Sequence, residues 1–356
     1  MYRILAINPG STSTKIAVFE DENKFFETNI KHSAEDLSPF AKIADQFEFR
    51  RNKIIETLKT NNIDINGINC VVGRGGLVKP IPSGVYEVND VLINDLVNPV
   101  MGEHASNLGG LIANDIAKKI GNVKAYIADP VVVDELEDIA RVSGHPLFER
   151  VSIFHALNQK AIARRYAKEI SKKYEDLNLI VVHLGGGISI GAHKNGRVID
   201  VNNALNGEGP FSPERSGTLP AEQLARLCFS GKYTFDEVKK MITGKGGYIA
   251  YLDTNDAWTV EKACIAGDKK FIFYREAMAY QVAKSIGENA VVLDGNVDAI
   301  LLTGGIAYDK DFCAYIEKKV KFIGAEWKRY PGEDEMEALA LNGLMVLNGE
   351  TAAKVY

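Results

Sequence analysis

The chain is short of cysteine: four stand in 356 residues, Cys70, Cys228, Cys264 and Cys313. No two form a C-x-x-C, so neither a zinc site nor a disulfide framework is indicated, and buried thiols in a reducing compartment fit best. Long apolar runs are missing too. The N-terminal M-Y-R-I-L-A-I is broken at once by Asn8, Pro9 and Gly10, too short for a signal-peptide core, and nothing approaches a membrane span. A cytoplasmic protein without a membrane partner is expected. Nor is there an excess of positive charge. A formal net charge of -5 gives no long-range attraction for nucleic acid, which is not an expected partner, but leaves room for a local basic site aimed at a small anion.

Apolar residues make up 46% of the chain and charged residues 25%, near the average for a soluble globular protein. The length exceeds what one hydrophobic core usually supports, so two domains with a cleft between them are expected.

Residues 2–8 are mostly apolar and stop at Pro9-Gly10, and residues 15–20 (K-I-A-V-F-E) are β-branched and aromatic enough for a second strand. The arrangement recurs where residues 179–184 (L-I-V-V-H-L) enter three glycines, residues 188–192 leave them, and Lys194-Asn195-Gly196 turns into a strand over 197–201. One such opening in each half predicts a duplicated α/β domain. Helices are expected over 155–174, where Leu157, Ala161, Ile162, Tyr166 and Ile170 recur at helical spacing, over 275–290, and over 334–347 with its acidic first turn. Gly144, Pro146 and the start of the second repeat place a boundary near residue 150. The expected domains are 1–150, with the first hairpin, and 151–356, binding nucleotide, its last helix packing back on the first domain.

Three turns could carry chemistry. Asn8-Pro9-Gly10-Ser11-Thr12-Ser13-Thr14-Lys15 offers hydroxyls and amides to a phosphate, yet lacks the second glycine and following helix of a Walker loop. Its residues alone leave a phosphate loop and a plain polar hairpin equally open. In His183-Leu184-Gly185-Gly186-Gly187 the three glycines let the backbone approach a polyphosphate closely, a better reading than a bulged turn. Thr303-Gly304-Gly305, after strand-like residues 298–302, could accept an adenosine or merely lead into a helix.

In order along the chain, six strings resemble the acetate kinase and butyrate kinase family. They are N-P-G-S-T-S-T-K from Asn8, G-R-G-G-L from Gly73, G-E-H-A-S-N from Gly102, S-I-F-H-A-L-N-Q from Ser152, V-H-L-G-G-G-I-S from Val182 and P-E-R-S-G-T-L-P from Pro213. The resemblance spans roughly the whole chain. It implies the fold of the superfamily that includes acetate kinase, sugar kinases, Hsp70 and actin: α/β, with duplicated ribonuclease H-like domains and an interdomain cleft. It also implies ATP-dependent phosphorylation of a short-chain fatty acid carboxylate, with ATP and Mg²⁺, in a homo-oligomer of at least two chains. Arg74-Gly75-Gly76-Leu77 stands where acetate kinases read R-V-V-H, Gly185-Gly186-Gly187 where they read G-N-G, and F-H-A-L-N-Q from Phe154 where they read F-H-G-T-S-H. The butyrate kinase branch fits better, and acetate is in doubt as the preferred acid.

The resemblance assigns roles residue by residue. Arg74 and Arg215 would hold the acyl carboxylate and the transferring phosphoryl group, and His155 would hydrogen-bond that group. Taken singly, either arginine fits an ion pair and His155 fits a satisfied core or surface group. Asn8, Ser11, Thr12, Lys15, His183, Gly185, Gly186, Gly187, Asp256, Gly304 and Gly305 would bind the nucleotide. Asp129, also placed among the catalytic residues, and Glu335 match acidic positions associated with Mg²⁺ through water. Glu335 equally suits the dipole of the helix it begins. His104 falls near the acyl site, and Gly76 aligns with a valine lining the acyl pocket of acetate kinases, which predicts room for a longer tail. The chemistry is apt. A short fatty acid is ionised near neutral pH and needs no general base, whereas anion meeting anion demands a cation and arginine forks. A sugar or polyol kinase using Asp129 as base, and a nucleotide-switch protein, remain the alternatives.

Overall fold

Ile4, Leu5, Ala6 and Ile7 are wholly buried, as a strand covered on both faces requires. They lie in β1 (Arg3–Pro9), which turns into β2 (Ser13–Glu20) and β3 (Asn23–Lys31) as an antiparallel meander. On the other side of β1, β4 (Cys70–Arg74) and β6 (Lys124–Ala128) add in parallel, and β5 (Val85–Glu87) pairs antiparallel with β6. The C-terminal strand Lys354–Val355 closes the edge beside β5. Alternation along the strands divides the helices between the faces. Leu5, Ile7 and Val71 share a core with Leu108 and Ile112 of the helix Asn107–Ile120. On the opposite face, a Cβ on Gly343 of the helix Glu335–Leu347 would touch Val72, Cys70 and Ile4. The computed structural model describes residues 1–98 and 100–356.

A second sheet repeats this plan. β7 (Leu179–Leu184), β8 (Ile188–Lys194) and β9 (Arg197–Val201) form the meander, with β10 (Ala299–Gly304) parallel to β7 and β11 (Glu326–Pro331) parallel to β10. The order β11–β10–β7–β8–β9 matches β6–β4–β1–β2–β3 strand for strand, so the duplication expected from the two strand-turn-strand openings is present. Ile180, Val182 and Leu184 pack toward Met278, Val282 and Ile286 of the helix Lys269–Val292. Leu179 and Val181 pack toward Ile162 and Tyr166 of the helix Ala156–Glu169.

The chain divides into Met1–Val133 with Asp334–Tyr356, and Asp134–Glu333. The boundary expected near residue 150 therefore lies earlier, and the C-terminal segment groups with the first unit. The helix expected over 155–174 stops at Glu169, followed by Ser171 in the left-handed region at φ 55°. Among the described residues no helix is long and apolar enough to cross a membrane.

Candidate active site

In the first unit the parallel strands β1, β4 and β6 end together, and the carboxyl ends of such strands are where open α/β sheets bind ligands. Register places Gly73 beside Ile7 and Arg74 beside Ala128, so Asn8 and Arg74 fall in one row with Ala128, and Asp129 follows one residue beyond it. Arg74 makes a bidentate pair with Glu335, Nη2 to Oε1 at 3.1 Å and Nη1 to Oε2 at 3.2 Å, and also donates to Asn8 Oδ1 at 3.2 Å. Asn8 Nδ2 closes the triangle on Glu335 Oε2 at 2.6 Å. Glu335, expected at a metal, is thus the partner of Arg74 and Asn8. Asp129 is buried at φ 36°, its Oδ1 accepting from Ser83 Oγ at 2.6 Å and from the Gly84 amide at 2.8 Å. A non-glycine residue at that φ is a strained backbone position, common where function demands it.

The hairpin of residues 10–14 rests on Arg50, which no motif marks. Arg50 is buried and donates to the carbonyls of Gly10 (2.7 Å), Ser11 (2.9 Å) and Ser13 (3.0 Å), to Thr14 Oγ1 (3.2 Å) and to Gln46 Oε1. The His32 amide takes the Thr12 carbonyl at 2.9 Å. With the carbonyls turned inward, Ser11 and Thr12 stand exposed at the tip, a concave backbone of the kind that receives anions. Lys15 pairs directly with Asn8 across β1 and β2 and lies 3.8 Å from Glu27 Oε1. Burial lowers the Arg50 guanidinium to about 10, and burial first, then the Arg50 charge, lowers His32 to about 4.

Of the two expected acyl-site residues, Gly76 does not leave the space the sequence reading assigned it. Gly76 is buried, but a Cβ there would stand 2.7 Å from Asn107 Cα and overlap the Asn107 side chain. The expected room is filled by Asn107, whose Oδ1 accepts from the Leu77 amide at 2.8 Å. His104 is exposed, its Nδ1 2.8 Å from Ser106 Oγ.

In the second unit His155 immediately precedes the helix Ala156–Glu169 and stacks on His183 at the end of β7, ring centroids 3.7 Å apart and planes 13° from parallel. His183 Nδ1 lies 2.8 Å from Asn158 Oδ1, and Nε2 lies 3.4 Å from Glu333 Oε1. Beyond His183 comes the triple-glycine turn, closed by the Gly185 amide on the Gly187 carbonyl at 3.1 Å. Ser212 Oγ donates to the Gly186 carbonyl at 2.6 Å, tying this turn to the loop that carries Arg215. A Cβ on Gly187 would overlap the Arg215 guanidinium, so glycine is what lets that cation lie against the turn. Arg215 donates to the Ala204 carbonyl, and among the described residues it makes no ion pair. Burial lowers its pKa from the ordinary arginine value. Gly304, at φ 92°, crosses against the Leu184 backbone, and nothing stands within 4 Å of a Cβ on Gly305. Asp256 is exposed and caps the helix Ala257–Ile265 through the Trp258 and Thr259 amides, at 3.1 and 3.2 Å.

Residues 149–338 match the model of the acetokinase family. Over 356 residues, all of both chains, 61% of positions are identical to butyrate kinase 1 of Clostridium acetobutylicum. This chain belongs to the acetokinase family. Butyrate kinase 2 of the same organism is 60% identical over 355 residues, all of this chain and 99% of that protein. The fold is also that of an acetokinase: Porphyromonas gingivalis acetate kinase superposes with a TM-score of 0.78 at 18% identity, covering 98% of this chain and 100% of its own.

Several acetokinase motif residues therefore meet within each unit, Asn8 and Arg74 with Glu335 in one, and His155, His183, Gly187 and Arg215 in the other. Asp256 is engaged with the first turn of its own helix and not with these clusters among the contacts described. Arg50, Gln159 and Ser189 were missed. Gln159 and Ser189 lie within quoted strings, but only the folded backbone shows that they face His155.

Proposed function

We propose that the chain transfers the γ-phosphoryl group of ATP to the carboxylate of a short-chain fatty acid, with butanoate as the type substrate, giving an acyl phosphate and ADP. The observation that carries this reading is the 61% identity to a butyrate kinase over the entire chain. The side chains suit it. Among the described residues Arg215 makes no ion pair, the adjacent Glu214 acting on it only through its charge, so an incoming anion can take the guanidinium face, and Arg74 is held ready by a partner on each side. His155 presents a half-buried ring for a hydrogen bond to the phosphoryl oxygens. The hairpin of residues 10–14 and the turn at 185–187 supply backbone amides for phosphates. The acceptor carboxylate is already ionised, so no base is asked of Asp129.

Among the described residues no three carboxylate, histidine or cysteine groups gather as a metal cluster. Mg²⁺ would ask for less than such a cluster, since it keeps several waters and is held by one or two carboxylates plus substrate phosphates. Asp129 offers the hard oxygen chemistry this ion takes, and Glu335 is committed to Arg74 and Asn8. When bound, Mg²⁺ neutralises phosphate charge. A cytoplasmic homo-oligomer belongs to the same reading, on resemblance alone.

ATP, Mg²⁺ and a panel of acids from acetate to hexanoate, with hydroxylamine trapping the acyl phosphate, test the proposal. Butanoate or isobutyrate should react best. Turnover of a sugar, with every acid inert, would overturn it.

A further inference from the structure

We propose that Ser189 and Gln159 are positioning residues that hold the His155 ring in one tautomer, with its proton on Nε2. This rests on the reading of His155 as the group that hydrogen-bonds the phosphoryl oxygens. A neutral ring carries one N–H, and which nitrogen has it decides whether the ring donates or accepts at the site.

The assignment follows from counting donors and acceptors in a buried chain of side chains. Gln159 is wholly buried, with one end of its amide 3.1 Å from the Ser189 carbonyl and 2.8 Å from Ser189 Oγ. A carbonyl cannot face an amide oxygen at that distance without repulsion, so the end turned to Ser189 is the –NH₂. Its two hydrogens go to the Ser189 carbonyl and to Oγ. Oγ also receives the His155 backbone N–H at 3.4 Å. A hydroxyl has two acceptor positions and one hydrogen. With both positions taken, Ser189 Oγ turns its hydrogen to the remaining neighbour, His155 Nδ1 at 2.9 Å. Nδ1 is then an acceptor, and the proton of the neutral ring is on Nε2.

The far end of the chain agrees. Gln159 Oε1, the acceptor end, faces His193 Nε2 at 2.9 Å, so His193 donates there. Its Nδ1 is left to accept from the Tyr174 hydroxyl at 2.7 Å. His193 must be neutral for this pattern, and complete burial, with Lys160 and Arg164 nearby, pushes its pKa well below the usual histidine value. Every link from Tyr174 to His155 then has one orientation. Of its members only His155 is not fully buried. The chain therefore delivers a neutral N–H donor. An imidazolium would need to donate from Nδ1 into a hydroxyl whose acceptor positions are filled.

Long-range ¹H–¹⁵N spectra of the ¹⁵N-labelled full chain near neutral pH read the tautomer directly. The chain has six histidines, and a His155→Gln sample assigns the one in question. The expected spectrum shows His155 with an unprotonated Nδ1 and a protonated Nε2. An Nδ1–H ring or an imidazolium would overturn the proposal. Ser189→Ala should leave a mixture of tautomers and lower kcat about 10-fold to 100-fold, the scale of a small misplacement at a reacting centre, with KM for both substrates nearly unchanged. Tyr174→Phe, which removes the far link, should lower the melting temperature but leave the His155 tautomer and kcat intact. Equal losses of kcat in the two variants would mean that the chain is a stability element only, and that too would sink the positioning role. Should Ser189→Ala fail to fold, the spectrum of the unaltered protein still decides. An acid panel yielding no acyl phosphate would remove the phosphoryl role and leave the tautomer standing, so the two failures are separable.

Discussion

Arg74, Arg215 and Arg50 carry one charge in three settings. Arg74 is pinned by a carboxylate, Arg50 is buried against carbonyls and an amide, and Arg215 meets a single carbonyl with no carboxylate partner among the described residues. The third has the most attraction left for an incoming anion. Arg215→Ala should therefore lower kcat by about two to three orders of magnitude, the cost of losing one transition-state donor, with a smaller change in KM for the acid. A raised KM at constant kcat would assign Arg215 to ground-state binding instead. Arg74 and Arg215 were legible because each sits in a recognisable string beside glycine or proline. Arg50 was not: in F-E-F-R-R-N-K nothing distinguishes it from Arg51, and only the fold turns the first under the hairpin. Gly76 misled for a related reason. Whether a glycine leaves space depends on what stands opposite, and Asn107, on another element, cannot be read from the motif.

The same substitution should act with opposite signs in two helices. In the helix Asn107–Ile120, a Cβ on Gly109 would run into the Arg74 carbonyl, because helix and β4 approach backbone to backbone at Gly73 and Gly109. Gly109→Ala should cost about 1–3 kcal/mol by overpacking, and moving the end of β4 should disturb Arg74 as well. In the helix Lys269–Val292, nothing lies within 4 Å of a Cβ on Gly287, and Gly287→Ala should stabilise by about 0.5–1 kcal/mol. Urea unfolding of both variants measures the difference; equal signs would refute the packing argument. β1, β7 and β10 were legible because buried strands read as apolar runs that stop at glycine or proline, and β2, β8 and β9 because β-branched and aromatic residues follow those turns. β3, N-K-F-F-E-T-N-I-K, was not. It is the edge strand of its sheet with much of its surface exposed, so its polar residues masked the alternation.

Two buried histidines set an acid limit for the whole molecule. His32 is lowered from 6.5 to about 4 and His193 well below 6.5, so both are neutral when folded near neutral pH. Below 6.5 the unfolded chain takes up protons that the folded one refuses. Stability is thus complete above pH 6.5 and falls as pH drops toward about 4. Denaturant midpoints across that window should show the decline, and His32→Gln should flatten it; a midpoint independent of pH would show that the native state accommodates both protons. The domain boundary was the least legible feature, since the first unit is assembled from Met1–Val133 and Asp334–Tyr356. The helix Glu335–Leu347 covers the face of β1 and β4 that bears Ile4 and Val72. On a ribosome, Asp134–Glu333 emerges as one uninterrupted stretch and is free to close as soon as it is made. The sheet made before it must wait with that apolar face bare until the last helix is released. The half translated first is the half completed last, and the nascent chain passes through a stage in which that face is open to chaperones and to aggregation.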